Sequence, residues 1–246
     1  MSISIFIADS PQELGKKAAK KIVELLQAAI KEKGEARIIL STGASQFDTL
    51  EALLQSDVDW SKVEMFHLDE YVGLPETHPA SFRKYLKERF VSKVNLKAAH
   101  FVDGEGDIEG KRAKLSAIIK EKQVDVGIVG IGENGHIAFN DPPADFEATD
   151  AYIVVELDER CKQQQVSEGW FATLNDVPKT AVTMSPKQIM SCKHIVSAVP
   201  YAVKAEAVYN TITSKVDRMI PATLLKTHPD WNLFLDQESA AELLAR

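Results

Sequence analysis

Apolar and polar positions along this chain follow two different periods, and the switches between them mark out its elements. Residues 3–8 are apolar and β-prone, which predicts a first strand. A helix start follows, with Ser10 as N-cap, Pro11 at the first helical position and Glu13 completing a capping box. Leu14, Ala18, Ile22, Leu25, Leu26 and Ala29 then recur at helical spacing, and Gly34 ends the run. Residues 36–40 predict a second strand that leads through 41–45 into another helix, and residues 63–68 a third strand. Helices are expected over 81–90, with Phe82, Tyr85, Leu86 and Phe90 as the buried face, and over 108–122. The unbroken apolar run 124–131 reads as a buried strand. Strands at 152–157, 181–184 and 194–198 follow, then a helix over 204–209, a strand at 232–235 and a terminal helix over 238–246. Strands and helices in alternation imply crossover connections. The expected architecture is therefore a single α/β domain over residues 1–246, with a Rossmann-like, mostly parallel sheet and helices on both faces.

Composition narrows the partners. The chain has 246 residues, 45% hydrophobic and 26% charged, ample for a full core. Its 29 basic and 36 acidic residues leave a net charge of −7, which argues against nucleic acid or an acidic membrane but leaves an anionic small ligand open. Two cysteines, Cys161 and Cys192, have no metal-ligand spacing and read as reduced thiols of a cytoplasmic protein. The first residues lack a signal-peptide pattern, and no apolar run approaches membrane-spanning length.

Chemistry is expected where strands end. In a parallel sheet the carboxyl ends share one edge, so Ser41-Thr42-Gly43-Ala44, Asp69-Glu70-Tyr71 and the loop from Asn134 to Asp141 would face one crevice. Backbone N–H groups and hydroxyls of 41–45, before a helix, suit an anion; a plain capped turn is the alternative. Asp69 and Glu70 form a carboxylate pair in which one charge can raise the other's pKa, or else a solvated turn. His136 follows a buried strand between glycines, with Asn134, Gly135 and Asp141 around it. It can carry protons near neutral pH, with Asp141 setting its tautomer. A metal role is the weaker reading for it, because no second histidine or cysteine lies nearby at ligand spacing. Arg160 and Lys204 follow strands and could neutralise a phosphate, or be ordinary surface cations.

Two motifs carry a family resemblance. Residues 66–74 (FHLDEYVGL) with 78–82 (HPASF), and 130–142 (GIGENGHIAFNDP), resemble glucosamine-6-phosphate deaminases, also called isomerases. The Ser-Thr-Gly turn at 41–43, Lys204-Ala205-Glu206-Ala207, the stretch from Pro221 to Leu225 and His228 extend the likeness over most of the chain. It implies that an aminated hexose 6-phosphate binds as a ring, that His136 opens it, and that Asp69 moves a proton from C2 to C1. The resulting imine is hydrolysed to a ketose 6-phosphate, fructose 6-phosphate from the gluco substrate, and ammonia, with neither redox cofactor nor metal. The phosphate would sit on Thr42–Gly43–Ala44 with Arg160 and Lys204 as counter-charges, and Glu70, Tyr71 and Gly135 would complete the binding set. Two positions depart from the common pattern: Asn134 stands where many members have Asp, and Asp141 where they have Glu. These leave a galactosamine-6-phosphate deaminase and a non-catalytic sugar-phosphate-binding regulator as alternatives, and a 6-phosphogluconolactonase, which shares the strand–Gly–His loop and the phosphate turn, is a third. The family ranges from monomers to hexamers, so self-association stays open.

Overall fold

Burial on both faces decides the central layer. Every residue of the strand Ala36–Leu40 is buried, and its side chains alternate between two cores: Ile39 packs on one face, Ile38 and Leu40 on the other. The computed structural model describes residues 2–245; Met1, and Arg246 at the end of the expected terminal helix, lie outside the described residues. In chain order the elements are β1 (Ser2–Ala8), α1 (Pro11–Lys33), β2 (Ala36–Leu40), α2 (Phe47–Leu54), β3 (Val63–His67), β4 (Asp69–Tyr71), α3 (Phe82–Arg89), β5 (Ala98–His100) and α4 (Ile108–Lys120). They continue with β6 (Val126–Ile128), β7 (Tyr152–Glu156), α5 (Glu159–Ser167), β8 (Thr180–Met184), α6 (Pro186–Met190), β9 (His194–Val199), α7 (Ala205–Thr213), β10 (Asp230–Asp236) and α8 (Ala241–Leu244).

Seven strands form one parallel sheet in the order β1-β10-β9-β6-β2-β3-β5. Helices α1, α2 and α3 cover one face through Leu14, Ile22, Leu26, Leu50, Leu53 and Leu86. Helices α4, α6 and α7 cover the other through Leu115, Ile119, Ile189 and Val208. The ends of α1 follow their local chemistry. Ser10 Oγ accepts the Glu13 amide at 3.2 Å, Pro11 opens the helix, and Gly34 closes it at φ +81° with its N–H donating to Ile30 O. The Glu13 carboxylate accepts the Asp9 amide, not that of Ser10, so the expected capping box is displaced by one residue.

The sheet is parallel throughout, but it does not hold all the strands. After β3 ends at His67, only Leu68 intervenes before β4 begins a second, antiparallel sheet, β4-β8-β7. Residues expected as a turn, Asp69-Glu70-Tyr71, are therefore strand, and 152–157 and 181–184 belong to this smaller layer. Tyr71, Phe82, Phe139, Leu157, Phe171 and Ala181 form its core. The run 124–131 is strand only over β6, Val126–Ile128, although the Val129 amide still donates to Val196 O of β9 at 3.0 Å. No helix of the described residues is long and apolar enough to cross a membrane.

Candidate active site

β2 and β6 are neighbours, and from them the sheet runs outward in opposite directions, to β3 and β5 on one side and to β9, β10 and β1 on the other. Their carboxyl ends therefore make a switch point, where the following loops diverge and leave a crevice. A cavity lies there. Ser41, Thr42, Gly43 and Ser45 line it from the turn after β2, and Gly130, Gly132, His136, Ala138 and Phe139 from the loop after β6. Leu68 and Asp69 enter from the junction of the two sheets, Lys204 from the turn before α7, Phe82 from α3, and Gln164, Gln165 and Glu168 from α5 and its end.

Asp69 is 6% exposed. Burial, reinforced by the Glu70 charge and partly offset by the Phe139 amide, pushes its pKa up to about 8. A carboxyl in that range can both take up and give back a proton near neutral pH.

His136 lines the same cavity, its ring packed against Gly132; a Cβ at Gly132 would lie 2.2 Å from Nε2. The neighbours fix this loop. Asn134 Oδ1 accepts the His136 amide at 3.0 Å, and Asn134 Nδ2 donates to Asp141 Oδ1 at 3.1 Å. Asp141 Oδ1 lies 3.1 Å from His136 Nδ1, within ion-pair range, though the two are poorly aligned for a hydrogen bond. Burial would raise the Asp141 pKa, but His136, Asn134 and the Asp158 amide outweigh it and hold the carboxyl below its ordinary range. Asn134 and Asp141 thus sit behind the imidazole, not on the cavity. Gly135 is behind it too: at φ +82° its carbonyl turns to accept the Ala222 amide at 2.8 Å.

The side expected to take an anion carries hydroxyls and one lysine. Ser41 Oγ is buried with no partner on the protein, so it is free to serve a ligand. Gly43, at φ +98°, lets the chain turn sharply into a short 3₁₀ turn ahead of α2. Lys204 is 5% exposed; desolvation lowers its pKa, and Glu168 and Glu133 pull it back up.

Several expected binding residues lie elsewhere. Glu70 is fully buried and anchors α3: its carboxylate accepts from the Ser81 hydroxyl and the Tyr71, Phe82 and Arg83 amides, and pairs with Arg83 Nε at 3.2 Å. Burial raises its pKa against the pull of those donors. Tyr71 is fully buried and donates to Gln165 Oε1 at 2.8 Å. Ala44 begins the 3₁₀ turn and does not line the cavity. Arg160 is exposed on the first turn of α5, away from the cavity, because the face that α5 turns inward carries Cys161, Gln164 and Gln165. The cavity thus meets Gln164, Gln165 and Glu168 where a second cation was expected. Residues 159–167 hold few apolar positions, so hydrophobic spacing missed this helix; its one local signal is Asp158, which accepts the Cys161 amide as N-cap.

Residues 9–233 match the model of the family described as glucosamine-6-phosphate isomerases/6-phosphogluconolactonase. A glucosamine-6-phosphate deaminase of Listeria monocytogenes serotype 4a (strain HCC23) is 35% identical over 227 residues, 92% of this chain and 95% of its own length. A solved monomeric glucosamine-6-phosphate deaminase superposes with a TM-score of 0.89 at 28% identity, over 97% of this chain and 99% of that one. A 6-phosphogluconolactonase of Thermotoga maritima shares the fold with a TM-score of 0.79 at 16% identity, over 96% of this chain and all of its own.

Proposed function

The chain belongs to the family of glucosamine-6-phosphate isomerases and 6-phosphogluconolactonases, and within it we propose that this protein deaminates an amino-hexose 6-phosphate, converting glucosamine 6-phosphate to fructose 6-phosphate and ammonia. The observation that carries the reading is the convergence of Asp69 and His136, 67 positions apart, on one cavity that also holds Lys204.

His136 acts first. It passes a proton between the ring oxygen and the anomeric hydroxyl, so the hemiacetal opens to the aldose. Asp69 then takes the proton at C2 and returns it at C1. The electron pair shifts through an enolamine, and an imine remains at C2. Water adds to that carbon and ammonia leaves. Asp69 must be ionised for the first transfer, although burial favours its neutral form. A 2-ammonium group on the arriving sugar favours the carboxylate and lowers its pKa. Ser41, Thr42 and Gly43 offer hydroxyl and amide donors to the phosphate, with Lys204 as its cation. Asn134 and Asp141 hold the imidazole in place. The setting is proposed to be the cytoplasm.

Ammonia release tests the reading. Purified protein is expected to release ammonia from glucosamine 6-phosphate or its galacto epimer. Asp69→Asn is expected to abolish the release and His136→Gln to reduce it strongly. No ammonia from either epimer would overturn the proposal. Acid production from a 6-phosphogluconolactone that survives Asp69→Asn would instead select a lactonase.

A further inference from the structure

On the side of His136 that faces away from the substrate cavity, Nδ1 lies in a small cluster. Nδ1, an Asp141 carboxylate oxygen and the Cys161 sulfur all fall within 4.8 Å of one another. The chain delivers these atoms from two elements, the loop after β6 and the first turn of α5, and the Cys161 amide is pinned to Asp158 Oδ1 at 2.6 Å. All three side chains are nine-tenths buried or more. His136 Nδ1 is the unusual member, a buried ring nitrogen without a hydrogen bond although a carboxylate is in reach. Its alignment with the carboxylate is poor, and a ring nitrogen, a carboxylate oxygen and a thiol sulfur this close together form a donor set for a metal ion.

We propose that His136, Asp141 and Cys161 form a binding site for a thiophilic divalent cation of the zinc type, and that occupancy of this site switches the protein off. One nitrogen, one oxygen and one sulfur are the donors such a cation takes in three-ligand sites, with a fourth position left for water. The sulfur selects against magnesium and calcium, which require oxygen donors. On binding, the Cys161 S–H bond breaks, a sulfur–metal bond forms, and the proton leaves to solvent, with no change in oxidation state. Of the three, Asp141 also borders a second hollow, beside Pro142, Pro143, Glu156 and Asp158. Once bound, the ion takes the Nδ1 and carboxylate positions that orient the imidazole, and proton transfer at Nε2 stops.

Cobalt(II) and zinc titrations of the intact protein decide the matter. One equivalent of cobalt is expected to produce a near-ultraviolet sulfur-to-cobalt charge-transfer band, and Cys161→Ala to abolish it. Zinc is expected to inhibit ammonia release and a chelator to restore it, while magnesium at the same concentration does nothing. Cys161→Ala and Cys161→Ser are expected to keep basal activity and to need about 10–100-fold more zinc for the same inhibition. Absence of the band in the unsubstituted protein would overturn the proposal, as would a band or a zinc sensitivity that both variants leave unchanged. The cobalt readout stands whether or not the protein deaminates, so its failure is separable from that of the proposed activity.

Discussion

The imidazole of His136 occupies the space a side chain at Gly132 would need, with Nε2 2.2 Å from the position of a Cβ there. The ring is therefore held from one side by bare backbone. Gly132→Ala is expected to displace the imidazole and to lower kcat by about 10²–10⁴-fold, the usual worth of a positioned acid–base group. Steady-state kinetics beside His136→Gln check this: the two variants should fall alike, and their double mutant should fall no further.

Asp69 gives the activity and the stability opposite responses to pH. Its pKa rises from 3.8 to about 8 on folding, so the native state holds an extra proton between those values. The stability contributed by the neutral, buried acid is complete below about pH 4 and is lost as pH rises through about 8. Asp69→Asn removes this titration. The melting temperature of the variant is expected to gain on that of the unsubstituted protein as pH is raised across this window, even as its activity is expected to be lost. In the unsubstituted protein, kcat/KM should climb through about pH 8 as the base ionises in the free enzyme. A flat stability difference across the window would show that Asp69 titrates normally.

Lys204 and Arg160 should separate cleanly. Lys204 lines the cavity and Arg160 is exposed on α5. Lys204→Met is expected to weaken binding of a phosphorylated substrate by about 10–100-fold, the worth of a charge-assisted hydrogen bond. Arg160→Ala should change KM little, as surface substitutions do. Inhibition constants for fructose 6-phosphate would read both.

Much of this was legible in the chain and some was not. The parallel sheet, the long first helix and the shared edge of three strand ends follow from apolar spacing and from the polar residues after each strand. The role of Glu70 does not. Its neighbour Asp69 has the same charge and the same strand, and only the register that turns Glu70 toward Ser81 and Arg83 separates an anchor from a base. Arg160 misled because a cation after a strand looks the same whether its helix turns it inward or outward. Cys161 was unreadable as a neighbour of Asp141, since twenty positions of chain and the whole of β7 separate them.

The anchoring role of Glu70 makes a stability prediction. Removing it leaves the Arg83 guanidinium, buried beside it, with Asp103, Glu105 and the Leu74 carbonyl as partners. Glu70→Leu is expected to cost about 3 kcal/mol or somewhat more, near the lower end for breaking a buried ion pair. Urea unfolding would measure this, and an unchanged midpoint would show that the outer carboxylates suffice.

Leu68 is the single residue between the last strand of one sheet that precedes the cavity and the first strand of the other. Asp69 is mounted on the small layer and the His136 imidazole on a loop rooted in the large one, so the gap between them is a measure of how the two layers register. Warming that loosens this seam would misalign the pair before either layer melts. Heat inactivation should then run ahead of the loss of helical signal and reverse on cooling.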